Sequence, residues 1–311
     1  MPRRLLTVGC VLLLLTLTAC TSPAPERSSQ PSAEPTASDE SAAWETVVHV
    51  RHGTSTALGI AVTADGHILT SLVESDEVTV DFADGTSSSG TLVGDNEILG
   101  VRVVKVDDRP LPTARFGDAS TLEAGDQVQL LGGDLASGPT VTAATVAAPV
   151  GDRGGRIEVT VAGPLAMPGS IAVANDGSVI GVLPRILDSG QGGPSTVVLL
   201  PATNAVRVAE NLIAGVQPYL GVGMRNSPDG VLVEGVAADS PAERAGLRQG
   251  DIILEVSMAG ADMTVQSAED VAAAVAVSIP GDSLRIRYLR DGAASTTTAT
   301  ITTSPSATGA G

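Results

Sequence analysis

Asp-Gly pairs recur along this chain between short apolar runs, and no other feature limits its possible folds as much. Ala64-Asp65-Gly66 separates Leu58–Val62 from Ile68–Leu72, and Ala83-Asp84-Gly85 separates Val78–Phe82 from Thr86–Val93. Asn175-Asp176-Gly177 lies within the stretch Leu165–Leu183, ahead of Val179, Ile180 and Val182. Asp-Gly supplies the left-handed backbone that tight hairpins need. Val101–Val106, Gln127–Leu131, Val141–Val146, Ile157–Val161 and Val197–Leu200 are further strand-like runs. Many short strands at regular spacing imply a closed or sandwiched β architecture. Ala202–Ile213 reads as a helix with Val206, Ala209 and Ile213 on one face, ended by Gly215. Further on, Ser240-Pro241 opens a short helix that Gly246 closes, and Asp251–Val256 is a strand. Ser267–Val277 reads as a helix with Val271, Ala274 and Val275 on one stripe, and Leu284–Leu289 and Thr296–Ile301 are strands around Asp291-Gly292.

The 311 residues suit two domains plus tails. Apolar residues make up 43% but aromatics only 2%, so the cores must be built from Val, Leu, Ile and Ala. The net charge is −17 and Lys105 is the only lysine. That balance argues against nucleic acid or anionic membrane surfaces as electrostatic partners and otherwise means solubility. At the N-terminus, Arg3 and Arg4 precede Leu5–Leu17, an apolar run too short to span a bilayer. Leu17-Thr18-Ala19-Cys20 matches the bacterial lipobox. Residues 1–19 therefore read as a lipoprotein signal peptide, with Cys20 as the acylated residue that anchors the protein on the outer face of a membrane. A plain secretory signal is the alternative. Cys10 would leave with the signal, so no intrachain disulfide can form. Residues 20–43, rich in Ser, Pro, Ala and Glu, read as a flexible tether, and residues 304–311 as a disordered tail.

Six segments follow one another in a fixed order: ADGHILTS, VTVDFADG, GTLVGDNEILGVRVVKV, ARFGDASTLEAGDQVQLLGG, NDGSVIGVL and PATNAVRVAENLIAG. Together they resemble an HtrA-type (DegP-like) trypsin-fold protease domain over residues 44–215. Tyr219-Leu220-Gly221-Val222 and GVLVEGVAADSPAERAGLRQGDIILEV resemble the PDZ domain that follows it, over residues 216–303. The resemblance implies a mostly β chain, a trypsin-like double β-barrel followed by an α+β PDZ domain.

Trypsin-like catalysis needs a serine nucleophile, a histidine base, a carboxylate that orients the base, and backbone N–H donors for the oxyanion. The resemblance assigns the base to Val73, in Ile68-Leu69-Thr70-Ser71-Leu72-Val73. It assigns the acid to Gly100 and, in an ungapped register, the nucleophile to Pro168. None of the three can perform its step, and proline also lacks an N–H. Ser170 is the alternative nucleophile if the loop is two residues shorter, but it needs a base. His67 starts the strand that leads to Val73, roughly 20 Å from that position at about 3.3 Å per residue. His49 and His52 are expected to flank the first strand. A Ser–Lys dyad would have to use Lys105, in a β run. Asp65, Asp84 and Asp176 are hairpin-turn residues rather than an aspartic-protease pair. No Cys/His/carboxylate cluster has metal-ligand spacing, and GDLASG and GDRGGR lack a phosphate-loop setting. No cofactor is implied.

Binding is what the resemblance leaves intact. A PDZ domain adds a peptide's C-terminal residues as a strand to its sheet edge and holds the carboxylate on loop N–H groups. Here that loop is Tyr219, Leu220, Gly221 and Val222, and the facing helix carries Val271 and Val275. The implied reading is a catalytically inactive, lipid-anchored protein of the bacterial cell envelope. It would bind peptide C-termini or unfolded proteins as a sensor, adaptor or chaperone-like scaffold, alone or assembled with active HtrA-type proteases. A divergent but active serine endopeptidase, and a PDZ fold used only for packing or oligomerisation, are the competing readings.

Overall fold

The computed structural model describes residues 42–71, 75–135, 138–153, 155–161, 170–182, 195–258 and 261–305. Cys20, Val73 and Pro168 lie outside them, as does the first half of the Leu165–Leu183 stretch.

Six strands close the first barrel: β1 (Val47–His52), β2 (Ser55–Ala61), β3 (His67–Ser71), β4 (Glu77–Asp81), β5 (Ser87–Asn96) and β6 (Val101–Lys105), in the order β1-β2-β3-β6-β5-β4. Six more close the second: β7 (Gln127–Asp134), β8 (Gly138–Arg153), β9 (Arg156–Val161), β10 (Ile171–Val173), β11 (Val179–Val182) and β12 (Ser195–Pro201), in the order β10-β11-β12-β9-β8-β7. Alternation decides which face is buried. In β9, Ile157, Val159 and Val161 are buried while Arg156, Glu158 and Thr160 are only partly covered. The Asp-Gly turns close as the sequence predicts. Asp84 accepts the Thr86 N–H at 2.9 Å and Asp176 the Ser178 N–H at 3.0 Å. These bonds are Asx turns, in which a short carboxylate stands in for a backbone acceptor.

Helix α1 (Ala202–Ile213) follows the second barrel. It buries Ala202, Ala205, Val208 and Ala209. Val206 is only half-buried, so the stripe is turned from the predicted one. The sheet of the C-terminal module comprises β14 (Val222–Ser227), β15 (Gly230–Val236), β16 (Ile252–Met258), β18 (Ser283–Arg290) and β19 (Ala293–Thr300), with β14 and β19 at its edges. β13 (Pro218–Tyr219) pairs with β20 (Thr302–Thr303), β17 (Ala261–Thr264) pairs with β16, and the Ser304 N–H reaches the Gln217 carbonyl. Helix α2 (Pro241–Arg244) starts at Ser240, whose hydroxyl caps Glu243 N. Helix α3 (Ala268–Ala276) starts at Ser267 with a capping box to Asp270.

Two barrel cores and a PDZ core are joined by a fourth cluster. Trp44, Leu58, Leu69, Val101 and Val103 of the first barrel meet Leu131, Ile171, Val173 and Val179 of the second there. Val208 and Ala209 of α1, and Ala273, Ala276 and Val277 at the end of α3, complete it. Each fully buried Leu or Ile contributes about 1.5–3 kcal/mol. The polar bonds run the same way. Asn211 Nδ2 donates to the Ser278 carbonyl at 2.8 Å, and Arg207 Nε to that of Val277 at 2.8 Å. The C-terminal module is thus packed onto α1 through α3.

Candidate functional site

In the barrels, β3 and β6 pair antiparallel with His67 opposite Lys105 and Ser71 opposite Val101. Gly100 immediately precedes β6, so it stands at the end of the pair where the chain leaves β3 for Leu72 and Val73. It is buried, at φ +69°, in a turn closed by its own N–H on Glu97 O. That conformation suits glycine and strains most other residues, Asn and Asp least. His67 is at the opposite end of the same pair, about 16 Å along the strand from Gly100 at 3.3 Å per residue.

The three imidazoles have other partners. His67 Nδ1 lies 2.9 Å from Thr63 Oγ1 and 3.2 Å from Asp65 Oδ1. The Thr63 hydroxyl, with His67, holds the Asp65 carboxyl below its ordinary range. His52 Nδ1 faces the Glu77 carbonyl at 3.2 Å. His49 is buried, and its Nε2 donates across the barrels to Gly133 O at 3.0 Å. His49 and His52 are members of β1 and do not flank it. The β1 run is short and has no Gly or Pro immediately before it to mark where it starts. Ser170, at the head of β10, is wholly buried.

The second site lies at the start of the C-terminal module, where Leu220–Gly221 leads into the edge strand β14. Gly221 has φ +80°, and a Cβ there would sit 2.2 Å from Ser240 Cβ and 2.9 Å from the Tyr219 hydroxyl. Only glycine fits. The carbonyls of Leu220 and Gly221 accept from Ala242 and Ala237 at 2.9 Å each. Among the described residues, no backbone carbonyl takes the N–H of Leu220 or Gly221. Beside this loop opens a cleft of about 500 Å³. Tyr219, Leu220, Gly221, Val222 and Val275 all line it, so the structure brings these predicted residues together. It does not bring Val271, which is fully buried in the PDZ core. Val275 stands at the border of two stripes of α3: Ala272 and Ala276 extend its cleft side, and Val271 with Ala274 lies on its other side, in the PDZ core. At the far end, Asn226 Oδ1 accepts the Ala268 N–H at 2.7 Å and ties β14 to α3. A smaller, mainly apolar cavity of about 80 Å³ between the modules is lined by Leu99, Met258, Met263 and Val277, with Arg156 and Asn204 as the polar residues of its described lining.

Residues 57–182 match the model of the trypsin-like peptidase domain, and residues 218–301 match that of the PDZ domain. A probable periplasmic serine endoprotease DegP-like of Halomonas elongata is 29% identical over 276 residues, covering 81% of this chain and 57% of the relative. A putative serine protease HhoB of Synechocystis is 32% identical, covering 76% of this chain and 63% of the relative. The chain is HtrA-like. It spans less than two thirds of the length of these relatives. A solved structure of the HtrA-type protease AlgW with decapeptide shares the fold at a TM-score of 0.60, with 22% identity, 86% of this chain and 98% of that chain covered.

For this HtrA-like chain, sequence reasoning missed Met224, Ala272 and Ala276 in the cleft, together with Asp95, Glu97, Ile98 and Leu212 from the barrel side. Val275 is the available signal for Ala272, because positions three apart share a helix face, and tertiary contact alone selects Ala276. Nothing local announces the barrel residues beyond an isoleucine in the polar turn Asp95-Asn96-Glu97-Ile98.

Proposed function

We propose that this is a catalytically silent HtrA-like protein that captures peptide C-termini in the cleft beside Tyr219–Val222. The observation that carries the proposal is the pair of N–H groups of Leu220 and Gly221, without a backbone carbonyl partner among the described residues, at the mouth of that cleft. A terminal carboxylate accepts from such groups, and the incoming peptide pairs with the free edge of β14. Val222, Met224, Ala272 and Val275 form a small apolar pocket for a last residue such as Val, Leu or Ala. The affinity is roughly micromolar, about −8 kcal/mol. The AlgW structure, described as a complex with decapeptide, supports this mode of use.

Silence rests on residue chemistry. Val73, Gly100 and Pro168 stand where the resemblance assigns base, acid and nucleophile. Each triad member alone is worth orders of magnitude in rate. The rival reading, a divergent endopeptidase using Ser170, draws on the relatives' being named serine endoproteases. The burial of Ser170 and the carbonyl and side-chain partners of all three histidines oppose it. A fluorophosphonate probe separates the two: the purified protein stays unlabelled if it is silent, and labelling lost on Ser170→Ala establishes the enzyme. The lipobox at Cys20, together with the periplasmic naming of the Halomonas relative, supports anchorage at the cell envelope, where the protein acts as a sensor, adaptor or chaperone-like scaffold. Metabolic labelling with a clickable fatty acid, lost on Cys20→Ala, tests the anchor.

A further inference from the structure

The cleft beside Tyr219–Val222 has a second wall that the PDZ fold does not supply. The end of β5 contributes Asp95, the β5–β6 turn Glu97 and Ile98, and α1 Leu212. Ile98 is 48% exposed, one of two large apolar side chains among the described residues that water reaches to that extent. An isoleucine held at the rim of a cleft gains by being covered. Asp95 and Glu97 are exposed and take part in no ion pair among the described residues. Among the described residues they are the only charged ones lining the cleft, with no Lys, Arg or His to offset them.

Peptide capture as proposed brings a carboxylate into this acidic cleft, held by neutral N–H groups alone. A ligand with an apolar end and no cation meets two carboxylates across the gap. One that adds a basic side chain replaces that repulsion with two attractions. We infer that the barrel turn acts as a specificity wall. Asp95 and Glu97 select peptides that carry Lys or Arg just before an apolar C-terminal residue, and Ile98 with Leu212 covers the apolar part of that segment. This inference rests on the capture of C-termini proposed above.

The test uses the complete chain and three fluorescein-labelled peptides ending in Val, with Lys, Gln or Glu at the two preceding positions, read by fluorescence polarisation. The wild type binds the Lys peptide about tenfold more tightly than the Glu peptide, the effect of two surface pairs at a few-fold each. In Asp95→Asn/Glu97→Gln the three affinities converge within about twofold, and binding of the Gln peptide no weaker than in the wild type reports an intact fold. Glu123→Gln/Asp229→Asn removes the same charge away from the cleft and keeps the wild-type order. Raising the salt from about 0.05 M to about 0.5 M also shrinks the preference, because these charges are exposed. Equal affinities in the wild type, or an order that survives Asp95→Asn/Glu97→Gln, overturn the wall while leaving peptide capture standing. Failure of all three peptides to bind the wild type overturns both.

Discussion

Gly100 and Gly221 are both left-handed glycines at the mouth of a strand, and they do opposite things for their clefts. At Gly221 the missing side chain makes room: Ser240 sits where a Cβ would be, and the loop lines an open cleft. At Gly100 the missing side chain takes something away, since the resemblance asks for a carboxylate there and glycine provides only a turn. A binding loop works through its backbone and tolerates the loss of side chains. A proton-transfer site works through side chains and does not. The same scaffold can therefore keep ligand capture after the chemistry has gone.

The sharpest break of this contrast is a side chain forced into the working cleft. Ala272 is partly exposed on the cleft side of α3, outside the PDZ core. Ala272→Glu fills the space and adds a third carboxylate. Binding of an apolar C-terminal peptide should fall at least about 30-fold, the loss of a hot-spot contact near 2 kcal/mol. The melting temperature should hold, which separates this variant from Gly221→Glu, where the collision with Ser240 would disturb the loop and the cap of α2 together. Unimpaired binding in Ala272→Glu would move the ligand elsewhere.

Next in size is the packing that gives the cleft its second wall. Asn211 is buried and its Nδ2 donates to Ser278 O. Asn211→Ala leaves that carbonyl without its donor and should cost about 1–3 kcal/mol by chemical denaturation. If the barrel turn reads the ligand, the preference for basic peptides weakens in this variant as well. Ser267→Ala removes the hydroxyl that caps α3 and should cost about 1 kcal/mol, with a matching small loss of peptide affinity.

These residues differ in how far the sequence exposes them. The strands, the Asp-Gly turns, the Ser240 and Ser267 caps and the Tyr219–Val222 loop are local patterns, written in a few neighbouring residues. Val271 and Val206 were misplaced because a short helix of Ala and Val offers several equally apolar stripes, and tertiary contact chooses among them. The α3 side that packs on α1 is as apolar as the side that lines the cleft. His49 has no local signal at all. Its partner, Gly133, is 84 residues away in the other barrel. Asp95, Glu97 and Ile98 are invisible for the same reason: their role comes from a contact between modules, not from their own turn.

The smallest expected effect distinguishes the modules by acid. Five barrel carboxylates are held below their ordinary range, Asp65 beside Thr63 and His67 among them. The Arg51 guanidinium does this for Asp81, and that of Arg109, with Thr86, for Asp84. The Ser120 N–H does it for Asp118 and the Ser178 hydroxyl for Asp176. In the PDZ module Asp262 is lowered by the Ser257 hydroxyl and then by Arg285. A carboxyl with a depressed folded value stabilises the fold above its unfolded value, near 3.9, and loses that contribution as pH falls through the folded one. The melting temperature should therefore be flat from about pH 8 to about pH 5 and decline below about pH 4. Apart from Asp81, which is half-buried, these groups are largely exposed, so water and salt screen them and each slope is shallow. Asp84→Ala makes the source visible. Its deficit against the wild type should be present in full at neutral pH and shrink steadily as pH falls below about 4, where the unfolded chain takes up the proton before the folded one. A deficit that stays constant across that range would mean that Asp84 acts through the shape of its turn and not through its charge.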